Sequence, residues 1–281
     1  VSFGLVFGTI SSMLVLKNVS KAYGRNKVLS DISFRVDPKE FVCITGPSGA
    51  GKSTLLHLMI GAEVASKGTV AIDGVDLRIL PPSILQLLRR RIGVVFQDYK
   101  LLWNRTVAEN IAFPLEVAGV PDEAIIARVK EVLKEMALTR RANTMANALS
   151  GGEKARTAVA RAIVHKPIML FADEPTGNLD PEQTEMVLDL FTQIHKKGTT
   201  VVLATHEVEI VDTLQTRVIR LEDGTVIRDS IGGYKKGKTS KKEEAKHAKH
   251  RIFDEEEKEQ IQKTAKKNGG THRVRITSIG S

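Results

Sequence analysis

The sequence predicts an α/β fold built around a parallel sheet, and three observations predict it. Short apolar runs alternate with longer helical patterns from Met13 to about Gly232, the signature of strands joined by helices. Three of those runs, 41–45, 168–172 and 200–205, are almost wholly apolar, as strands are when helices cover both faces of their sheet. Each is followed at once by polar residues: Gly46–Thr54, Asp173-Glu174 and His206. Ligands of open α/β sheets bind beyond that end of the strands, so three strands aim functional groups at one edge.

Taken in order, the first strand is Leu14–Val19, directly after Met13. The twelve residues before Met13 carry no charge and lack the basic region of a signal peptide. They are expected to be an N-terminal extension; a short apolar anchor on a membrane or partner is the other reading. Phe41–Thr45 leads through a glycine-rich turn into an apolar helix, Thr54–Ile60. A second helix is expected after Ser150, from apolar residues at 155, 158, 159, 162 and 163. Ile168–Ala172 and Thr200–Thr205 complete the buried strands. After Gly232-Gly233 the composition turns to Lys, Glu, Ala, Gln and His. Residues 233–281 are therefore expected to be a basic tail, disordered or a solvated helix, with too few large apolar residues to offset ordering entropy.

Composition narrows the function classes. A chain of 281 residues with 42% hydrophobic content can bury a sizeable core in one large domain or two small ones. No apolar run approaches the ~20 residues that a membrane-spanning helix needs. The single cysteine, Cys43, cannot form an internal disulfide and fits a reducing compartment. The net charge of +9 suggests nucleic acid until it is located along the chain. Lys235–Ser281 holds 14 Lys/Arg against 7 Asp/Glu, leaving 28 against 26 before it. The globular part is nearly neutral, and no nucleic-acid partner is expected.

The segment Gly46-Pro47-Ser48-Gly49-Ala50-Gly51-Lys52-Ser53-Thr54 fits G-x-x-x-x-G-K-[ST]. Its glycines let backbone N–H groups turn inward around phosphate oxygens. Lys52 reaches the β/γ-phosphates, and Ser53 offers a hydroxyl to Mg²⁺. The helix that follows points its positive dipole end at the same anion. Asp173 is the natural second Mg²⁺ partner, because Mg²⁺ needs hard oxygen ligands beside a triphosphate. Glu174 is the candidate to orient or deprotonate the attacking water. Alone, two adjacent carboxylates could instead cap a helix or solvate a loop.

Ser150-Gly151-Gly152-Glu153 is a capping box before an apolar-periodic helix. A functional reading adds that Ser150 and the amides of Gly151 and Gly152 form a second anion-binding helix start. One nucleotide does not need two such caps from one face, so the second makes sense in another subunit's site.

Together with Gln97 in Val94-Val-Phe-Gln-Asp98, these motifs occur in the order seen in ATP-binding-cassette (ABC) ATPases, which the chain resembles from about Met13 to Gly232. The resemblance implies a P-loop NTPase of ABC type: a RecA-like core with a parallel sheet, an antiparallel β subdomain, and an inserted helical subdomain at about 88–158. It implies an ATPase that uses ATP and Mg²⁺, with two copies sandwiching two ATP molecules head to tail. Ser150, Gly151 and Gly152 of one copy would then face the other's ATP. Tyr23 matches the aromatic residue that stacks on adenine, and Gln97 the residue that senses Mg²⁺ and the membrane partner. Asp180 matches the loop that communicates across the dimer, and His206 the switch on the γ-phosphate. Lys52, Gln97, Glu174 and His206 are the implied catalytic set; Ser53, Gln97 and Asp173 are the implied Mg²⁺ set.

Within the superfamily, Asp173–Asp180, Phe96–Leu102, Arg105–Ala112 and Gly198–His206 most resemble the FtsE family of cell-division ATPases. That family implies a permease-like integral membrane partner, FtsX-like, and a peripheral location on the cytoplasmic face of the membrane. Lys154-Ala155 and Glu207 depart from its usual residues, as does the long tail. The alternative is the ATPase of a macrolide- or lipoprotein-type exporter, which shares every catalytic residue. DNA-repair relatives place coiled coils or zinc modules between phosphate loop and signature, whereas here Lys52 and Ser150 are 98 residues apart with no further cysteine. Translation-factor relatives carry two cassettes per chain, and this chain has one. The partner is expected to meet the stretch from Gln97 to Pro114, with Trp103 either an exposed anchor or a core aromatic. The tail is expected to contact anionic lipid.

Overall fold

The computed structural model describes residues 14–234. The expected N-terminal extension lies outside the described residues, and so does the expected tail, 233–281, with its lipid contact, apart from Gly233 and Tyr234, which are instead hydrogen-bonded to Gln215 and Asp212. Two sheets organise the chain. The first is four-stranded and antiparallel, in the order β2-β1-β4-β5, from β1 (Leu14–Tyr23), β2 (Asn26–Val36), β4 (Lys67–Ile72) and β5 (Val75–Asp76). The second is six-stranded, in the order β10-β9-β3-β8-β7-β6. Its members are β3 (Phe41–Thr45), β6 (Ile92–Val95), β7 (Met169–Asp173), β8 (Thr200–Thr205), β9 (Arg217–Glu222) and β10 (Thr225–Ile231). Only β10 runs antiparallel to its neighbour in this sheet.

Two of the three apolar runs, β3 and β8, keep the expected bounds, while β7 starts and ends one residue later than expected. Every residue of β3 and β8 is buried. Alternate side chains of β3 serve different cores. Phe41 and Cys43 pack with helices α3 (Val107–Ala118), α4 (Asp122–Glu135), α5 (Gly151–Ile163) and α6 (Pro181–Lys196). Val42 and Ile44 pack with α1 (Lys52–Met59) and the antiparallel sheet. A strand with two covered faces has no solvent side to mark with polar residues. Two further helices, α2 (Pro82–Arg89) and α7 (Val208–Leu214), lie before β6 and after β8.

Local chemistry explains the helix starts. Ser150 accepts from the Glu153 amide while Glu153 accepts from the Ser150 amide, closing the capping box at α5. Thr106 and Glu109 do the same at α3. Asp180 caps α6 by accepting from the Gln183 amide, with Pro181 at the first helical position. Within the stretch 88–158, β6 pairs with β7 in the core sheet, so the helices between those strands are α3, α4 and α5. Asn110, fully buried on α3, accepts from the Leu102 amide and donates to the carbonyls of Leu102 and Thr106. It shapes the loop that follows Gln97.

Arg217 on β9 ties β10 to the segment between β2 and β3 by charge. Its guanidinium spans Asp229 at 2.6 Å and Glu40 at 3.0 Å and donates to the Arg35 carbonyl. Burial opposes its charge, but the two carboxylates more than offset this and raise its pKa. Arg217→Met should leave both carboxylates facing each other, partly buried. The loss should be about 3 kcal/mol, the lower end of the ~3–5 kcal/mol for breaking a buried pair, because the partners keep some solvent. A reduced urea midpoint at unchanged slope would register it.

Candidate active site

The phosphate loop runs from the end of β3 into α1. Gly46 has φ +150°, and a Cβ there would lie 2.3 Å from the Leu221 carbonyl oxygen on β9. Gly51 caps α1 at φ +99°, where a Cβ would meet Leu29 at 2.7 Å. Both positions combine a left-handed backbone with a close neighbour, so only glycine fits. Lys52, 5% exposed, folds back and donates to the carbonyls of Gly46 and Pro47 at 3.0 and 3.1 Å. The loop therefore holds its own lysine beneath it.

Three side chains from distant parts of the chain converge on Glu174. Lys52 Nζ lies 3.4 Å and His206 Nδ1 3.1 Å from its Oε1, and Gln97 Nε2 donates to its Oε2 at 3.5 Å. Glu174 is itself a non-glycine residue at φ +43°. Its amide donates to the Ala204 carbonyl, and its carbonyl accepts from Gly177. This left-handed turn, costing on the order of 1–3 kcal/mol, separates Glu174 from the strand-end direction of Asp173. Asp173 instead accepts a hydrogen bond from Ser53, and its buried Oδ1 has no partner in the protein. Burial raises its pKa, against the pull of Ser53, and the Glu174 carboxylate adds to the rise. A buried carboxylate oxygen without a donor, beside a serine hydroxyl, suits a hard cation. Mg²⁺ characteristically takes one or two protein oxygens and completes its shell with phosphate and water.

Tyr23 ends β1 with its ring 45% exposed, and Lys21 Nζ lies 4.8 Å from the ring centroid. Lys21 bonds Glu63 at 2.6 Å and the Val64 carbonyl at 2.9 Å. Partial burial and a hydrogen bond with Glu63 raise the Tyr23 pKa. The ring thus offers a solvent-facing surface on a fixed hydroxyl. Trp103 is also exposed, at 46%, with Lys154 Nζ 5.6 Å from its ring. Of the two readings of Trp103, the exposed one describes its position.

The structure does not bring every motif to the same point. Gly151 and Gly152 face the stretch 178–183: added Cβ atoms would meet Leu179 at 3.3 Å and Gln183 at 1.9 Å. Arg156 holds Gln183 through a 2.9 Å hydrogen bond. Asp180 is engaged in capping α6 rather than with the phosphate loop. Sequence reasoning also missed Thr176, Thr205 and Glu207. Thr176 donates to the Glu207 carboxylate, and the Glu207 amide donates to Thr205, tying the His206 turn to the Glu174 turn. These are common residues in loops; the Glu207–Thr205 bond is local, whereas the Thr176–Glu207 pairing depends on β7 and β8 lying side by side.

The family model for ABC transporters matches residues 29–177. The chain belongs to the ABC transporter family. Its relatives include cell division ATP-binding protein FtsE of Bacillus subtilis (strain 168), 46% identical over 222 residues, or 79% of this chain and 97% of the relative. The FtsE of Escherichia coli (strain K12) is 43% identical over 213 residues, 75% of this chain and 96% of the relative. Among solved structures, the ATP-binding cassette MJ0796, a dimer in a post-hydrolysis state bound to ADP and Pi, is 36% identical with a TM-score of 0.72, covering 78% of this chain and 98% of its own. The cassette is an ATPase that binds ATP with Mg²⁺ and has the α/β architecture of the family: a parallel core sheet beside an antiparallel one. Homodimers occur among its structural neighbours. No helix of the cassette's described residues is long and apolar enough to cross a membrane.

Proposed function

We propose that the cassette is the ATP-hydrolysing subunit of a cell-division membrane complex, working with an FtsX-like permease on the cytoplasmic face and controlling cell-wall hydrolases. The observation that carries this reading is the match to FtsE proteins at 43–46% identity over 96–97% of their length. Residue roles follow from the chemistry of the site. The phosphate loop, Gly46–Thr54, would hold the triphosphate with its amides, and Ser53 and Asp173 would hold Mg²⁺, with Gln97 as a further contact. When bound, that ion supplies positive charge beside the transferring phosphoryl group. A γ-phosphate delivered by the loop competes with Glu174 for Lys52 and His206. That exchange frees the Glu174 carboxylate to accept a proton from the attacking water. Tyr23 would stack on adenine, and Ser150–Gly152 of a second copy, packed head to tail, would close on the nucleotide, with Asp180 at the dimer junction. The helical subdomain at about 88–158 would carry that cap and present the Gln97–Pro114 stretch, including Trp103, to the permease.

Co-purification from native membranes tests the partner. An FtsX-like permease retained by the cassette supports the reading; a macrolide- or lipoprotein-type exporter subunit in its place makes the cassette an export ATPase.

The tail adds an electrostatic contact. Lys235–Arg251 carries 8 basic residues against 2 acidic, and basic residues beside a membrane each contribute ~1 kcal/mol toward anionic lipid, screened within ~8–10 Å. Truncation after Tyr234 should leave ATP binding intact and weaken sedimentation with phosphatidylserine vesicles. The difference should shrink as salt rises. Equal sedimentation of both forms at low salt would leave the tail a solvated segment.

A further inference from the structure

The described chain ends in a clamp that the reaction, as read so far, does not use. As the backbone leaves β10, the Gly232 amide donates to the Thr216 carbonyl. Arg228 donates to the carbonyls of Gly232 and Gly233 at 2.9 and 3.0 Å. The Gly233 amide meets Gln215 Oε1 at 3.4 Å, and the Tyr234 amide donates to the Asp212 carboxylate. The Tyr234 ring packs against the core, with the Arg228 and Arg220 guanidinium carbons 5.0 and 5.6 Å from its centroid. Its hydroxyl lies 2.6 Å from Thr45 Oγ1.

What this clamp joins is specific. Thr45 is buried, is the last residue of β3 and immediately precedes Gly46 of the phosphate loop. In the sheet it sits in register with Thr205, the residue before His206. Asp212 and Gln215 belong to α7 and its C-terminal cap, and α7 begins two residues after His206. That helix buries Ile210 and Val211, and its start is tied down by Thr176 and Thr205 at Glu207, so the bonds to Asp212 and Gln215 hold its other end. One residue thus bonds the strand that delivers the phosphate loop and the helix that follows the γ-phosphate switch.

We propose that Tyr234 is a positioning residue for ATP hydrolysis, holding the phosphate loop and the His206 turn in mutual alignment through Thr45 and Asp212. This rests on the reading of Glu174 and His206 above. The loop's backbone amides bind phosphate whether or not the clamp is intact, so ground-state binding should be little affected. The chemical step depends on alignment among Lys52, Glu174 and His206, where a misplacement of about 1 Å costs ~10²-fold.

The test uses the full chain with MgATP and the variants Tyr234→Phe and Thr45→Val, each removing one side of the hydroxyl pair. Each should lower kcat about tenfold, a fraction of the ~10²-fold ceiling, while KM stays within about twofold. Because both variants break one bond, the double variant should be no slower than the slower single one. A kcat for Tyr234→Phe equal to that of the unaltered chain overturns the proposal, as do effects that multiply in the double variant. A lowered melting temperature with unchanged kcat per folded molecule overturns it too, since that is a purely structural role. Glu174→Gln, assayed in parallel, separates the two levels. If it is inactive while Tyr234→Phe is normal, only the clamp fails; if it turns over normally, the catalytic frame beneath the proposal fails with it.

Discussion

Glu174→Gln should bind ATP as well as the unaltered cassette and lose about 10²–10⁴-fold in hydrolysis, the usual worth of a positioned general base. The substitution keeps the shape of the side chain, and its amide oxygen can still accept from Gln97, so the left-handed turn at φ +43° is not strained by it. What disappears is the negative charge that Lys52 and His206 share at 3.4 and 3.1 Å. With no carboxylate competing for those donors, the γ-phosphate should be held at least as tightly, and ATP-bound protein should accumulate. Lys52→Ala differs in kind: it removes the buried cation beneath the loop and should abolish nucleotide binding. Fluorescent-nucleotide titration and phosphate release separate the two. Normal turnover by Glu174→Gln would remove Glu174 from the role of base.

Gly151→Asp should also end hydrolysis, by another route. In a head-to-tail dimer the new carboxylate would face the partner's triphosphate in a partly desolvated interface, a like-charge contact of several kcal/mol at low effective dielectric. Gly151 is the clean position for this test. An added Cβ meets the flexible end of Leu179 at 3.3 Å and the Asn178 carbonyl oxygen at an ordinary 3.8 Å, whereas at Gly152 it would collide with Gln183 at 1.9 Å. ATP should still bind each subunit, while ATP-dependent dimers vanish from size-exclusion profiles of Glu174→Gln/Gly151→Asp protein. Gly151→Ala serves as the steric control. Normal dimerisation and turnover by Gly151→Asp would rule out the head-to-tail arrangement.

Much of this molecule is legible along the chain because its strongest signals are local. A helix start needs only Ser150 and Glu153, three residues apart, and the fold contains that capping box. A fully covered strand writes its burial into consecutive apolar residues, which is why β3 and β8 have the bounds read from sequence. The phosphate loop carries its own steric logic, with glycine wherever a side chain would strike Leu221 or Leu29. Trp103 shows the limit. A lone aromatic has no local marker of its surroundings, and only folding exposes it.

By itself, then, the sequence determined the fold class, the strand ends at which chemistry is placed, and the identity of the phosphate-binding residues, because each depends on neighbours within a few positions. Tertiary structure decided what those residues face. Lys52, Gln97 and His206 meet on Glu174 across more than 150 residues of chain only because β3, β8, β7 and β6 lie side by side in an order that sequence does not display. The same holds for Arg217, between carboxylates at 40 and 229, and for Tyr234 on Thr45. Neither an arginine nor a tyrosine carries a local sign of its partner. Its role follows from strand order in the folded sheet, which is a property of the whole chain.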